Sequence, residues 1–233
     1  MTAGRHLVLN EFCGPRVGRK IEADRAYGGG VSNVVSRLHE LPEHRFDPGE
    51  PVVALTFDDG PGPSTAAVVD ELAELDVSAT FFVVGAVAAS DPDRIRGLVA
   101  AGHTVGGHSW SHPRGDEVDD DALVDEAERT AALIVELTGR PAPFVRAPFR
   151  KVESVRYDAL LAGRGFTTVT WSVDPRDWAC SDPVEIAQAV LDHLHHGAIV
   201  LLHDGGRPRP ATVDALAPIV HGARLAGYRF VSL

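Results

Sequence analysis

A chain of 233 residues with 44% hydrophobic content is ordinary for one α/β barrel, long for a single sandwich, and apolar enough to bury a core. Its formal charge of −11 leaves no basic stripe to neutralise phosphates, so nucleic acid and anionic membrane are not expected partners, and neutral or cationic substrates fit better. No stretch approaches the roughly 20 apolar residues of a membrane helix, so membrane insertion is not expected.

The N-terminal residues lack the apolar centre of a secretory signal, so the compartment expected of the chain as written is the cytoplasm, with the cell envelope or exterior as the alternative if a leader was removed. Cys13 and Cys180 are too few for a disulfide scaffold and are expected to remain thiols or to form at most one pair; Cys180 reads as a passive thiol. Residues 1–49 follow no regular rhythm: Gly28-Gly29-Gly30 interrupts them, 34–41 fits a short helix, and 42–48 fits a linker. They are taken as an N-terminal extension packed on a main domain at 50–233.

From about residue 51, short β-branched runs alternate with helical patterns, as in successive parallel βα units. Strands are expected at 52–57, 80–84, 103–106, 144–146, 167–173, 198–202 and 228–232. Between them, Asp91 with Pro92 starts a helix that stops before Gly102, and 119–137 is an acidic amphipathic helix closed by Gly139. Asp182-Pro183-Val184-Glu185 starts another that runs to Gly197, and 213–226 precedes Gly227. Seven βα units imply a distorted, incomplete (β/α)7 TIM-like barrel, with an open sheet as the alternative.

The unusual polar residues sit where these strands finish: Asp58 and Asp59 after the first, His108 and His112 after the third, Arg146 at the fourth, Asp174 and Asp177 after the fifth, His203 and Asp204 after the sixth. In a parallel barrel those ends share one rim, so distant residues converge on one pocket. Adjacent carboxylates at a buried strand end need a compensating cation, although Asp-Gly-Pro is also good turn chemistry. His108 and His112, at i and i+4, share a face if the segment is helical; with Asp58 or Asp59 they make a two-histidine, one-carboxylate metal site. Arg146 can hold a carboxylate in one orientation. His203 becomes a useful general acid if Asp177 stabilises its protonated form. His193, His195 and His196 read as a solvated helix terminus.

Five segments, Thr56-Phe57-Asp58-Asp59-Gly60, His108-Ser109-Trp110-Ser111-His112, Arg146-Ala147-Pro148-Phe149, Asp174-Pro175-Arg176-Asp177-Trp178 and Leu201-Leu202-His203, lie in the order found in a known family. Together they resemble the polysaccharide deacetylases that share the chitooligosaccharide-deacetylase (NodB-like) homology domain, carbohydrate esterase family 4. The resemblance implies hydrolysis of N-acetyl groups on N-acetylglucosamine-containing poly- or oligosaccharides. It makes Asp58 the general base and puts Asp59, His108 and His112 on one divalent transition metal ion, zinc by preference, with cobalt, nickel or manganese as alternatives.

It further implies that Arg146 fixes Asp58, that the backbone N–H near Phe149 faces the oxyanion, that Trp178 and Leu201 line an acetyl pocket, and that His203 is the general acid assisted by Asp177. One departure is Arg150, where the family commonly has glycine; it would charge or reshape the substrate rim. Two other readings stay open: a deacylase of a small intracellular N-acyl sugar, formamide or cyclic imide with the same mechanism, and a non-catalytic sugar-binding or metal-storage module.

Overall fold

The computed structural model describes residues 34–35, 51–115, 117–149 and 154–233. In chain order the elements are β1 (Val34–Val35), β2 (Val52–Gly60), α1 (Thr65–Glu74), β3 (Thr80–Val83), α2 (Gly85–Ser90), α3 (Pro92–Ala100), β4 (Thr104–Gly107), α4 (Asp120–Thr138), β5 (Phe144–Val145), α5 (Ser154–Ala162), β6 (Thr167–Val169), α6 (Pro183–Leu191), β7 (Ala198–His203), α7 (Pro210–Leu225) and β8 (Arg229–Phe230). The strands form one eight-stranded sheet in the order β1-β6-β5-β4-β3-β2-β7, with β8 paired to the start of β2. Every pairing is parallel. The sheet curls into the expected incomplete barrel, and a bridge from Val173 to Val200 links the chain after β6 to β7 across the opening.

Alternation along the strands decides what points where. On β2, Val53, Leu55 and Phe57 face the helices and join the main core, whereas Val52 and Ala54 face inward with Phe82, Val169 and Ile199. Thr56 and Asp58 continue that inward row. On β7, Ala198, Val200 and Leu202 face outward, which leaves Leu201 and His203 in the same inward row as Ile199. The closed end of the half-barrel is plugged by the C-terminus: Leu233 N donates to Thr80 Oγ1 at 3.0 Å, and Thr104 Oγ1 donates to the Leu233 carbonyl at 2.8 Å.

The helix ends follow the local chemistry. Asp91 accepts from Arg94 N at 3.2 Å with Pro92 in the first turn of α3, and Asp119 accepts from Ala122 N at 2.9 Å at the start of α4. Gly139, at φ 66°, ends α4 in the left-handed conformation. Differences from expectation have local causes. Val34 and Val35 form a strand against β6 rather than the start of a helix, because β6 offers them a free edge; residues 36–41 and the remainder of the extension lie outside the described residues. Helix α6 ends at Leu191 instead of reaching Gly197, and His193, His195 and His196 are half-buried beyond it, with His196 Nδ1 accepting from Val52 N at 3.3 Å. The strand expected at 167–173 stops at Val169, since the carbonyls of Val169 and Thr170 turn inward to a side chain of the site.

Candidate active site

Strand β2 delivers two consecutive aspartates to one place by breaking its own register. Its pairing with β3 shifts between Asp58 and Gly60, so Asp59 is the extra residue of a bulge, at φ 73°. Regular alternation would send Asp58 and Asp59 to opposite faces; the bulge lets both carboxylates meet the same histidines. Asp58 Oδ2 lies 3.8 Å from His108 Nε2, and Asp59 Oδ1 lies 3.5 Å from His108 Nε2 and 3.1 Å from His112 Nε2. Burial alone would raise the Asp59 carboxyl. The hydrogen bonds from His108 and His112, with the charges of His108 and His203, outweigh it and hold this group far below the ordinary carboxylate range.

The histidine pair is not helical. Ser109 at φ 61° and His112 at φ 58° fold the segment into a loop that brings the two imidazoles to 5.0 Å between ring centres. Neighbours fix this loop. The first two N–H groups of α2, which lack partners within the helix, donate to the Ser109 and Trp110 carbonyls at 2.9 and 2.8 Å. Glu126 on α4 accepts from Trp110 N at 2.7 Å, Ser111 N at 2.6 Å and Ser111 Oγ at 2.7 Å. A side chain at Gly85 would strike Trp110, whose ring is also covered by Arg129 at 3.6 Å.

Arg146 is 1% exposed and lies across the rings of Phe82 and Trp171 inside the half-barrel. Its Nη1 donates to Asp58 Oδ1 at 2.7 Å and Thr56 Oγ1 at 2.8 Å, its Nε to the Val169 carbonyl at 3.1 Å, and its Nη2 to the Thr170 carbonyl at 2.9 Å. The same residue's own carbonyl accepts from His108 Nδ1 at 2.8 Å. Because a carbonyl can only accept, His108 carries a proton on Nδ1, which leaves Nε2 as the nitrogen that faces Asp59 and the one able to ligate an ion when the ring is neutral.

His203 and Asp58 are register partners on β7 and β2, so the imidazole stands beside the carboxylate on the inward face. Asp177 Oδ1 meets His203 Nδ1 at 2.8 Å, while Oδ2 accepts from His203 N and from Thr212 Oγ1, both at 2.8 Å. Burial would lower the imidazole pKa. The Asp177 hydrogen bond and charge, together with Asp58 and Asp59, reverse that and raise it to about 9.

The rim residues divide. Leu201 is buried on the inward row of β7. Phe149 and Trp178 are exposed aromatics; Phe149 packs its ring 4.5 Å from that of His112, and the Trp178 carbonyl accepts from Arg209 Nη1 at 3.4 Å. Asp174 caps its own turn, accepting from Arg176 N at 2.8 Å, and burial raises its pKa. Arg150 lies outside the described residues. Cys180 is disulfide-bonded, which corrects the passive thiol. The other cysteine, Cys13, lies outside the described residues.

Four supporting residues were not singled out from sequence. Thr56 sits within a recognised motif but carries no signal of its own. Glu126 is one acid among many on α4, Thr212 belongs to the first turn of α7, and Arg209 reads as loop until its Nη2 is found 3.8 Å from Asp59 Oδ2. Among the described residues, Asp59, His108 and His112 form the group able to hold a metal ion, with one donor atom each and all three within 4.8 Å of one another. The donor chemistry fits: two imidazoles and a carboxylate, one imidazole already oriented by its distal N–H.

Residues 46–167 match the family described as polysaccharide deacetylase. The chain belongs to the polysaccharide deacetylase family. It is 39% identical over 206 residues to a chitooligosaccharide deacetylase of Sinorhizobium fredii, covering 81% of this chain and 93% of that relative. A crystal structure of a peptidoglycan N-acetylglucosamine deacetylase in complex with 4-naphthalen-1-yl-N-oxidanyl-benzamide is 32% identical with a TM-score of 0.75, covering 79% of this chain and 87% of that one. A CE4 family pseudoenzyme from Bacillus anthracis is also similar, at 25% identity and a TM-score of 0.73, covering 86% and 67%. Deacetylases of this family are metal-dependent, and Asp59, His108 and His112 are a possible site for such an ion in this chain.

Proposed function

We propose that this chain is a metal-dependent N-deacetylase acting on N-acetylglucosamine-containing glycans, with residues 50–233 as its catalytic domain and 1–49 as an extension. The observation that carries the reading is a carboxylate outside the ligand cluster, Asp58, fixed by Arg146 and standing beside a raised-pKa imidazole, His203. Asp59, His108 and His112 would hold the ion, zinc by preference with cobalt, nickel or manganese as alternatives. When bound, the ion supplies Lewis-acid polarisation of the amide carbonyl and acidifies water.

Asp58 takes the proton of the water that attacks the acetamido carbon, its Oδ1 kept in place by Arg146. The backbone N–H near Phe149 faces the oxyanion, and Leu201 and Trp178 border the acetyl group. His203, held through Nδ1 by Asp177, gives the Nε2 proton to the departing amine. Acetate and a free amino sugar leave.

The pseudoenzyme relative shows that this fold alone does not carry activity. Asp58 and His203 are both present here, which favours catalysis over a binding module. Among the described residues no helix is long and apolar enough to cross a membrane.

The test is acetate release from chito-oligosaccharides and from a panel of soluble small amides by metal-loaded protein, beside an Asp58→Asn control. Release from the glycan well above the control is expected. Turnover of small amides alone would move the substrate to the other amide class, and binding without turnover of either at full metal occupancy would make the chain a binding module.

A further inference from the structure

Asp204, which follows His203, is fully buried and takes no step in the chemistry above. Its Oδ2 accepts from Thr65 Oγ1 at 2.5 Å, and the same hydroxyl accepts from Gly62 N at 2.7 Å. Its backbone N donates to the Asp58 carbonyl at 3.2 Å. A Cβ on Gly60 would lie 2.6 and 2.7 Å from the two Asp204 carboxyl oxygens, and one on Gly205 would lie 2.0 Å from the Asp59 carbonyl oxygen. The two segments that follow β2 and β7 therefore interlock with no space for a side chain between them. Burying a carboxyl that takes one hydroxyl donor from another residue is unfavourable, and among the described residues its Oδ1 has no hydrogen-bond partner outside the residue. A leucine would fill that volume at lower cost, so core packing alone does not explain an acid there.

What the acid touches is the turn that carries Asp59. A non-glycine residue at φ 73° is held only where its surroundings over-determine it. Thr65 fastens the far end of that turn and the Asp204 carboxyl presses on the bare Cα of Gly60 next to Asp59. We infer that Asp204 is a positioning residue for the metal site: bridged to Thr65 and seated on Gly60, it sets the backbone of the turn after β2 so that Asp59 presents its carboxylate to His108 and His112. This rests on the reading of those three residues as metal ligands.

The test uses metal-free full-length protein and zinc alone, with dissociation constants from competition against a chromophoric chelator and unfolding temperatures recorded beside them. Asp204→Ala is expected to weaken zinc by about 10–100-fold, the range for partners that orient ligands. Asp204→Asn keeps the volume and an oxygen for Thr65, so it should restore affinity close to the wild-type value. Thr65→Val should reproduce the alanine loss, and the double variant should add little further; it carries the test if Asp204→Ala does not fold. A lower unfolding temperature with unchanged zinc affinity in Asp204→Ala and Thr65→Val would overturn the inference and leave Asp204 as packing, as would an Asp204→Asn variant no better than alanine. Absence of zinc binding by the wild type would overturn the ligand assignment itself, and this inference with it.

Discussion

The guanidinium of Arg146 ties together four parts of the site: Asp58, proposed as the base, Thr56, and the two carbonyls at the end of β6. Removing it leaves Asp58 buried without its counter-charge, which typically costs about 3–5 kcal/mol. Arg146→Met should lose stability on that scale in urea unfolding and lose activity with it; a shift under about 1 kcal/mol would show that Asp58 relaxes to another partner. His203 differs, because its imidazole hydrogen-bonds to Asp177 and not to the cluster of Asp59, His108 and His112. His203→Ala should keep stoichiometric zinc while turnover falls about 10²–10⁴-fold, the usual loss for a general acid. Metal content and kcat measured on one preparation separate the two effects, and an unchanged kcat would take His203 out of the mechanism.

At the level of elements, the strands from β2 to β8 were legible because their β-branched runs sit between turn residues, and the capped helices because Asp-Pro starts and glycine stops are local signals, whereas β1 falls where a helix was expected. Helices α1, α2 and α5 were not individually foreseen. The short α2 starts at Gly85 without a side-chain cap, and its free N–H groups are satisfied by the histidine loop, a long-range partner that no local pattern reports. The i, i+4 spacing of the two histidines would put them on one face of a helix; positive φ at Ser109 and His112 brings the rings together in a loop instead. Glu126 supplies the remaining constraint from α4. Glu126→Ala unties two backbone N–H groups and one hydroxyl, and should weaken zinc binding about 10–100-fold with little change in helix content by circular dichroism. Unaltered zinc affinity would mean that the α2 contacts alone suffice to shape the loop.

For the molecule as a whole, pH acts through His203, whose folded pKa of about 9 lies above its ordinary 6.5. A raised imidazole contributes stability that is fully present below about 6.5, declines as pH rises, and is gone above about 9. The unfolding temperature of metal-free wild type minus that of His203→Gln should therefore shrink steadily across that interval. A gap that stayed constant, or grew with pH, would contradict the Asp177–His203 pairing as the source.

The amino-acid sequence determined the class of the fold and the chemistry at the rim, because strand-end position and residue type are one-dimensional quantities: Asp58, Asp59, His108, His112, Arg146, Asp177 and His203 could all be placed at one end of a barrel from their place after each strand. Which aspartate faces which partner, where the half-barrel closes, and how Glu126, Thr212, Arg209 and Asp204 brace the reacting groups were decided only in three dimensions. A register shift at Asp59, a loop held by the N–H groups of another helix, and a carboxyl pressed on a bare Cα each depend on contacts between segments far apart in the chain, and local propensity carries no record of them.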